Sequence, residues 1–486
     1  MSGRRKVCLL LEGSYPFITG GVSAWVQDLI GGMPDVDFLL FTISPRRGQT
    51  LKYVLPPNVV GHKDVVINEH RRIRARPRDR RALLSELRSM HEVLRSHSTP
   101  DLSGILARIP PDYYLYDESC ASDVGWRMVV SGHLRHNPIY PFSEYFWSWK
   151  SAHDMIFTVL GMEPPEADLY HAVSTGYAGL AALCARLRTG RPFLLTEHGL
   201  YHKEREMEIK RASFVKGYQR DMWINIYNGI SRLCYRNADL VISLFEYNRR
   251  RQIELGADER RAVVIPNGID VPRYGAVKRE PREGFHVGLV GRVVPIKDIK
   301  TFILMARIVA DRIPEARFWC IGPTDEDPAY CEDCQVLVRN FKLEGIFTFT
   351  GKADVRSYYS FLDVMLLTSV REAQPLVILE AYAAGVPVVS TKVGNVPELL
   401  DYDERLLAST KDAGKLAQAV AWIHDNPGEV RGLVKRNREK VVLFYDKSKV
   451  FSQYRDLYLT MGVSKTVGAP VKEADDSDAE EAEEVP

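Results

Sequence analysis

With 486 residues, 45% hydrophobic and 26% charged, the chain is a globular sequence too long for one ordinary core, and its length suggests two or three domains. A net charge of +2 argues against a general nucleic-acid binder, and no apolar run reaches the length of about 18 residues that a transmembrane helix needs. The seven cysteines are scattered and odd in number, which fits a reducing compartment rather than a disulfide scaffold.

Short apolar runs alternate with helical periodicity along the chain, the pattern of parallel sheets covered by helices. The N-terminus, Met1-Ser2-Gly3-Arg4-Arg5-Lys6, is basic and leads into an apolar run. Glu12 interrupts that run and no small-residue cleavage site follows, so residues 7–11 are expected to form a first strand rather than a signal peptide. In the loop from Glu12 to Val22, Gly20 and Gly21 would let backbone approach a ligand closely, and a helix starting near Val22 would add unpaired N–H groups. A tight turn without a ligand is the alternative. Further strands are expected at 37–41, 169–172, 193–196, 240–243 and 263–266. Between Ser44 and Pro165 the pattern loosens into Pro-rich turns, aromatic helices and a basic run of Arg71, Arg72, Arg74, Arg76, Arg78, Arg80 and Arg81. This stretch reads as a large insertion in the first sheet domain. Its arginines read either as a solvated helix and loop or as a face for a membrane-associated partner or anionic lipid.

Asn267-Gly268-Ile269-Asp270 is a turn sequence and opens a linker. A second α/β unit then has expected strands at 285–290, 317–321, 347–349, 364–367 and 386–390. Arg292 and Lys297 follow its first strand, at the strand end where open parallel sheets bind ligands. Cys331-Glu332-Asp333-Cys334 lacks the second pair a zinc site would want, and is expected to be two cysteines on a polar helix. The most informative stretch runs from Ser369 to Ser390. Glu372 and Glu380 flank Pro375 and an apolar helix start, and Gly385-Val386-Pro387 turns into a β-branched strand. Pro375 suits the first helical position, and the helix N-terminus behind it can face an anion. If the whole interval were helical, the two carboxylates would stand about 12 Å apart. Residues 444–461 form a last helix with Tyr445, Phe451, Tyr454 and Tyr458 available for packing. An acidic tail, Asp475 to Glu484, is expected to be disordered.

The segment around Glu372 and Glu380 resembles the E-x7-E signature of retaining, nucleotide-sugar-dependent glycosyltransferases of family 4. The resemblance sharpens when Glu12-Gly13-Ser14-Tyr15-Pro16, Gly20-Gly21-Val22-Ser23-Ala24-Trp25, Thr196-Glu197-His198-Gly199 and Pro295-Ile296-Lys297-Asp298 are added. Together they look like the PelF-like cytosolic glycosyltransferases of the bacterial Pel exopolysaccharide system, over residues 1 to about 460. The resemblance implies an α/β fold of the GT-B type, two Rossmann-like parallel-sheet domains facing across a cleft. Its domains would be 1–270 on the acceptor side, with the insertion at about 44–165, and 271–443 for the nucleotide sugar. A helix at 444–461 would cross back to the first domain, and 462–486 would be the tail. It implies transfer of a hexose from a UDP-sugar to a growing polysaccharide, with membrane-embedded export or synthase partners that recruit a cytoplasmic enzyme to the inner face of the membrane. No nucleic acid, cofactor or metal is expected, UDP-sugar being a substrate. His198 would stand near the donor sugar. Arg292 and Lys297 would meet the leaving diphosphate, and Gly20 and Gly21 would lie beside it. Glu372 would take hexose hydroxyls, backbone N–H groups of Ala373, Gln374, Pro375 and Leu376 would line the sugar and diphosphate, and Glu380 would take the ribose. Lys203, Glu204 and Arg205 are acceptor contacts or a charged helix start. Gly394-Asn395-Val396-Pro397-Glu398 departs from the Gly-Gly-Val-Pro-Glu of the family. A UDP-sugar epimerase and a non-catalytic sugar-nucleotide sensor are the competing functions.

Overall fold

In the computed structural model, described over residues 4–67, 77–95, 99–115, 122–136, 139–213, 215 and 217–462, the apolar runs pair into two parallel sheets. Arg71, Arg72, Arg74, Arg76 and the acidic tail lie outside the described residues. Strand β1 (Arg5–Glu12) buries Val7 through Leu11 on both faces, which is why it is an unbroken aliphatic run. It pairs with β2 (Val36–Ser44) on one side and β4 (Leu169–Ala172) on the other, so Leu9 stands between Leu40 and His171. With β3 (Val59–Val66), β5 (Phe193–Glu197), β6 (Leu240–Ser243) and β7 (Ala262–Val264), the order is β3-β2-β1-β4-β5-β6-β7. The second sheet has the order β10-β9-β8-β11-β12-β13, from β8 (Phe285–Val290), β9 (Ala316–Ile321), β10 (Phe347–Gly351), β11 (Val364–Leu367), β12 (Val388–Thr391) and β13 (Leu407–Ala408). Each sheet therefore reverses its winding once, between β1 and β4 and between β8 and β11. Those reversals are where doubly wound sheets open a crevice for ligand.

Two strands escaped the sequence pattern. β3 lies inside the stretch read as insertion, yet it pairs with β2 along its length. It is an edge strand carrying His62, Lys63 and Asp64, mostly exposed or half-buried, so it lacks an apolar run. β13 has only two residues. Among the described residues of the inserted stretch, Met128, Val129, Tyr145 and Trp149 form a small cluster with Tyr218, and the rest packs on the first lobe. Leu83, Leu87, Ile105 and Ile156 from its helices share one core with the Tyr177–Thr189 and Gly217–Asn237 helices.

The chain passes between the two lobes twice, and the two passages run side by side. Ile269 bridges to Asp446 in parallel, its N–H donating to the Tyr445 carbonyl at 2.8 Å and its carbonyl accepting from Lys447 N–H at 2.8 Å. A Cβ on Gly268 would stand 2.6 Å from the Lys447 Cα, so only glycine allows that approach. The last helix, Lys447–Thr460, then lies on the first lobe, with Val450, Phe451, Tyr454 and Tyr458 packed in the core beneath β1 and β2. Tyr458 Oη lies 2.7 Å from His171 Nδ1 on β4. Tyr445, expected to share that packing face, belongs to the second lobe's core instead, because it precedes the crossing. Cys331 and Cys334 also depart from expectation. Their helix, Pro328–Asn340, turns both thiols into the second lobe's core. No helix among the described residues is long and apolar enough to cross a membrane.

Candidate active site

The loops after β8 and β11 separate at the second lobe's reversal point and are tied by backbone. Val370 N–H donates to the Ile296 carbonyl at 2.9 Å, and Thr368 Oγ1 donates to the Lys297 and Asp298 carbonyls at 2.7 and 3.0 Å. Thr391, at the end of β12, donates its hydroxyl to the Ser369 carbonyl at 2.7 Å. This frame sets Lys297 Nζ 2.5 Å from Glu372 Oε1, which also accepts from Ser369 Oγ at 2.7 Å. The two side chains are 17% and 16% exposed, so they are largely removed from water yet still reachable.

The turn at 394–395 braces this loop from behind. Asn395 N–H donates to the Ala373 carbonyl at 3.0 Å. Gly394 has φ +52°, and a Cβ there would stand 2.2 Å from the Glu372 carbonyl oxygen. Asn395 has φ −90°, open to any residue. The departure from a second glycine thus strains no backbone.

Pro375 is not the first helical residue. It is the N-cap of the Leu376–Ala383 helix, with ψ 106°, and the cap makes no side-chain hydrogen bond. Pro375 carries no N–H, so the backbone donors of the expected sugar–diphosphate strip reduce to Ala373, Gln374 and Leu376. The Gln374 side chain holds the linker, its Oε1 accepting from Asn267 N–H at 2.9 Å and its Nε2 donating to the Asn267 carbonyl at 3.3 Å. Because residues 372–375 are not helical, a helical ruler does not measure the separation of the two glutamates. Glu380 sits beside Tyr274, Arg273 and Tyr359, where burial raises its pKa against the opposing pull of the two phenols and the arginine. Arg292 does not join Lys297. Its guanidinium is 53% exposed and donates to both carboxylate oxygens of Glu326, at 2.5 and 2.7 Å. Gly322 packs on the Gly291 carbonyl, and Asp354 caps a short helix and pairs with Arg356.

On the first lobe the loops after β1, β4 and β5 meet. Glu12, which sequence reasoning left without a role, places Oε2 at the start of the Tyr177–Thr189 helix, 2.8 Å from Tyr177 N, and accepts the Tyr201 hydroxyl at 3.0 Å on Oε1. The chain's own carboxylate thereby fills the anion position of that helix. Glu197, buried at the end of β5, accepts from Tyr235 Oη at 2.5 Å, Gln252 Nε2 at 2.8 Å, Thr175 Oγ1 at 2.8 Å and Tyr201 N–H at 3.1 Å. A glutamate ending a buried strand was the available clue to this network, which pins the start of the Tyr201–Arg211 helix. Between Glu197 and that helix, His198 packs edge-on to Trp25 with ring centroids 4.6 Å apart. Burial pulls its pKa down to about 4, so the ring is neutral near pH 7, and its Nε2 is buried without a hydrogen-bond partner. Trp25 belongs to the Gly21–Gly31 helix, whose N-cap, Gly20, makes no side-chain hydrogen bond. The space beside both Gly20 and Gly21 is open.

A cleft of about 580 Å³ lies between the lobes, with Gly199, Glu204 and Arg251 on one wall and Ile296, Glu372 and Ala373 on the other. Arg371 reaches across it to Glu204 at 3.2 Å. Burial raises the Glu204 pKa while Arg371 lowers it. The structure thus brings His198's loop, Glu372 and Ala373 to one cleft, with Lys297 bonded to Glu372. Of the residues expected to act in catalysis or to hold the donor, only Glu372 and Ala373 are themselves lining residues; His198, Lys297, Gln374, Pro375 and Leu376 are not, and neither are Arg292, Glu380, Gly20 and Gly21. Asn248, which lines the cleft, and Asn395, next to Gly394, also hold buried polar atoms without partners. Such orphans cost on the order of 1–3 kcal/mol each and mark where ligand or water belongs.

Two Rossmann-like lobes facing across a cleft, which meets the second lobe at its reversal point and the first lobe after β5 and β6, define the GT-B architecture. The model described as "Domain of unknown function (DUF3492)" matches residues 5–260, and that described as "Glycosyl transferases group 1" matches residues 284–426. The chain belongs to the first family, which takes in just over half of its residues, and its second lobe carries the group 1 glycosyltransferase match. Among curated proteins it is 32% identical over 176 residues to N-acetyl-alpha-D-glucosaminyl L-malate synthase of Bacillus anthracis, over 36% of this chain and 44% of that one. The chain thus spans under half of that relative's length. It is 27% identical over 320 residues to an Escherichia coli UDP-Gal:alpha-D-GlcNAc-diphosphoundecaprenol alpha-1,3-galactosyltransferase, over 61% of this chain and 76% of that one. In fold it resembles Anabaena HepE solved with UDP-glucose, with a TM-score of 0.56 and 17% identity over 94% of this chain and all of that one (100%).

Proposed function

We propose that this chain is a retaining glycosyltransferase that moves a hexose from a UDP-sugar to a growing exopolysaccharide, in the manner of the PelF-like enzymes its motifs resemble. The observation that carries the reading is the Lys297–Glu372 pair at the head of an uncapped helix, facing the His198 loop across the cleft. A sugar nucleotide leaves as a diphosphate, and charge grows on its β-phosphate as the glycosidic bond breaks. A cation and helix N–H groups at that point favour the transition state over the ground state. Donor entry would draw Lys297 from Glu372 to the phosphate and release the carboxylate to the hexose hydroxyls. Arg292 would leave Glu326 for the same diphosphate, and Glu380 would take the ribose from beside Tyr274. Neutral His198 would serve as a hydrogen-bond partner for the sugar rather than as a cationic acid. The acceptor oxygen would attack the anomeric carbon on the face that UDP leaves, its proton passing to the departing phosphate. The solved UDP-glucose complex of HepE supports a nucleotide-sugar donor for this fold. The enzyme would work at the cytoplasmic face of the membrane with embedded export partners.

The test is UDP release from a panel of UDP-sugars, with and without EDTA. Glu372→Ala, Lys297→Ala and Arg292→Ala should each lower turnover by about a hundredfold or more, and EDTA should leave the wild type active. Wild-type turnover in all three variants would end the proposal. Conversion of the UDP-sugar without transfer would identify an epimerase, and binding without UDP release even with acceptor and partners present would identify a sensor.

A further inference from the structure

The first-lobe wall of the cleft holds a large aromatic ring that the protein itself does not cover. Tyr247, in the first turn of the Glu246–Glu254 helix after β6, is 61% exposed, while its neighbours Phe245 and Asn248 are each 3% exposed. All three line the cleft that reaches Glu372. Asn248 Nδ2 is buried there without a partner. An unpaired amide donor beside an uncovered phenol ring is the pairing a pyranose satisfies, since a sugar offers one face of C–H groups and a rim of hydroxyls. The charges of the same wall are already matched. Lys203 pairs with Glu206 at 2.9 Å, Arg251 with Glu254 at 2.5 Å, and Glu204 with Arg371 at 3.2 Å. A carboxylate- or phosphate-bearing acceptor would have to break one of these pairs, whereas a neutral ring leaves all three intact.

We propose that Tyr247 and Asn248 form a subsite for the terminal pyranose of a neutral glycan acceptor, the sugar stacking on Tyr247 and accepting a hydrogen bond from Asn248. This rests on the glycosyltransferase reading and specifies the substrate on the opposite wall from the donor. Saturation-transfer NMR on the full chain with saturating UDP tests it, using neutral tetrasaccharides of glucose, galactose and N-acetylglucosamine, with glycerol 3-phosphate as the anionic probe. At least one tetrasaccharide should receive saturation, strongest at the C–H protons of a terminal ring. Tyr247→Ala should weaken that binding about tenfold, and Tyr247→Trp should restore it. Tetrasaccharide binding unchanged by Tyr247→Ala, binding of glycerol 3-phosphate alone, or no tetrasaccharide bound by a wild type that binds UDP would each overturn the subsite. Calorimetric titration of the wild type with UDP tests the donor reading separately: its failure, with tetrasaccharide binding intact, would sink that reading and leave the subsite standing.

Discussion

Lys297 and Glu372 stand 75 positions apart in the chain, yet they share a hydrogen bond because loops after two neighbouring strands are clamped by Thr368 and Thr391. The same loop explains which residues tolerate change. Gly394→Ala forces a Cβ onto the Glu372 carbonyl at a left-handed φ, at a strain of about 1–3 kcal/mol. It should lower the melting temperature and weaken UDP binding together. Asn395→Gly, at an ordinary φ, should leave UDP affinity within about twofold; calorimetry on both variants separates the two positions. In the first lobe, three histidines are buried in their neutral form. Burial pulls His171 to about 3 and His198 and His202 to about 4, against an ordinary value of 6.5. Between pH 6.5 and those values the unfolded chain takes up protons that the folded chain refuses, so their contribution to stability is full above 6.5 and falls on acidification. Buried Glu12 and Glu197, with raised pKa values, act with the opposite sign. The histidine part is therefore read as a difference: His171→Gln should lose less stability than wild type between pH 7 and pH 5 in urea melts. Equal losses would mean that His171 is not the titrating group.

At the level of elements, the last helix does more than close the chain. Tyr454 and Phe451 contact Trp25, which in turn packs on His198, so the last helix supports the ring that precedes Gly199 and Leu200 of the cleft wall. Tyr458 is fully buried and bonds His171. Tyr458→Phe should cost about 1 kcal/mol by loss of that hydrogen bond, and Tyr458→Ala about 3–5 kcal/mol by the cavity it opens. Denaturant unfolding measures both, and a Tyr458→Ala cost near that of Tyr458→Phe would show that the helix is not packed as described. Elements were legible where burial on both faces made them apolar runs, unbroken in residues 7–11 of β1 and in β11, and interrupted only by a buried histidine in β4 and β8. β3 was not, because an edge strand facing water on one side need not be apolar. Pro375 illustrates a finer limit: its fixed φ suits both the N-cap and the first helical residue, and the extended ψ that decides between them comes from the packing of the 372–375 loop.

At the scale of the whole molecule, two adjacent chain crossings, the Gln374–Asn267 clasp and the Arg371–Glu204 pair join the lobes. Of these, only Arg371–Glu204 lies across the cleft. Removing it in Arg371→Ala should open the unliganded lobes and raise the radius of gyration in small-angle scattering, and UDP should reverse part of that change. Scattering identical to wild type would place the closure energy in the crossings and the Gln374–Asn267 clasp. The alternation of strands and helices, the two-lobed parallel architecture and the loops bearing His198, Lys297 and Glu372 were all determined by the sequence, because hydrophobic periodicity and the ends of parallel strands are local properties written residue by residue. Tertiary structure alone decided that Lys297 is held by Glu372 while Arg292 turns to Glu326. It likewise decided that Glu12 occupies its own helix terminus and that Tyr247 is left uncovered. These facts depend on which distant side chains the fold brings within hydrogen-bond reach and which surfaces it leaves to solvent, and no spacing along the chain encodes them.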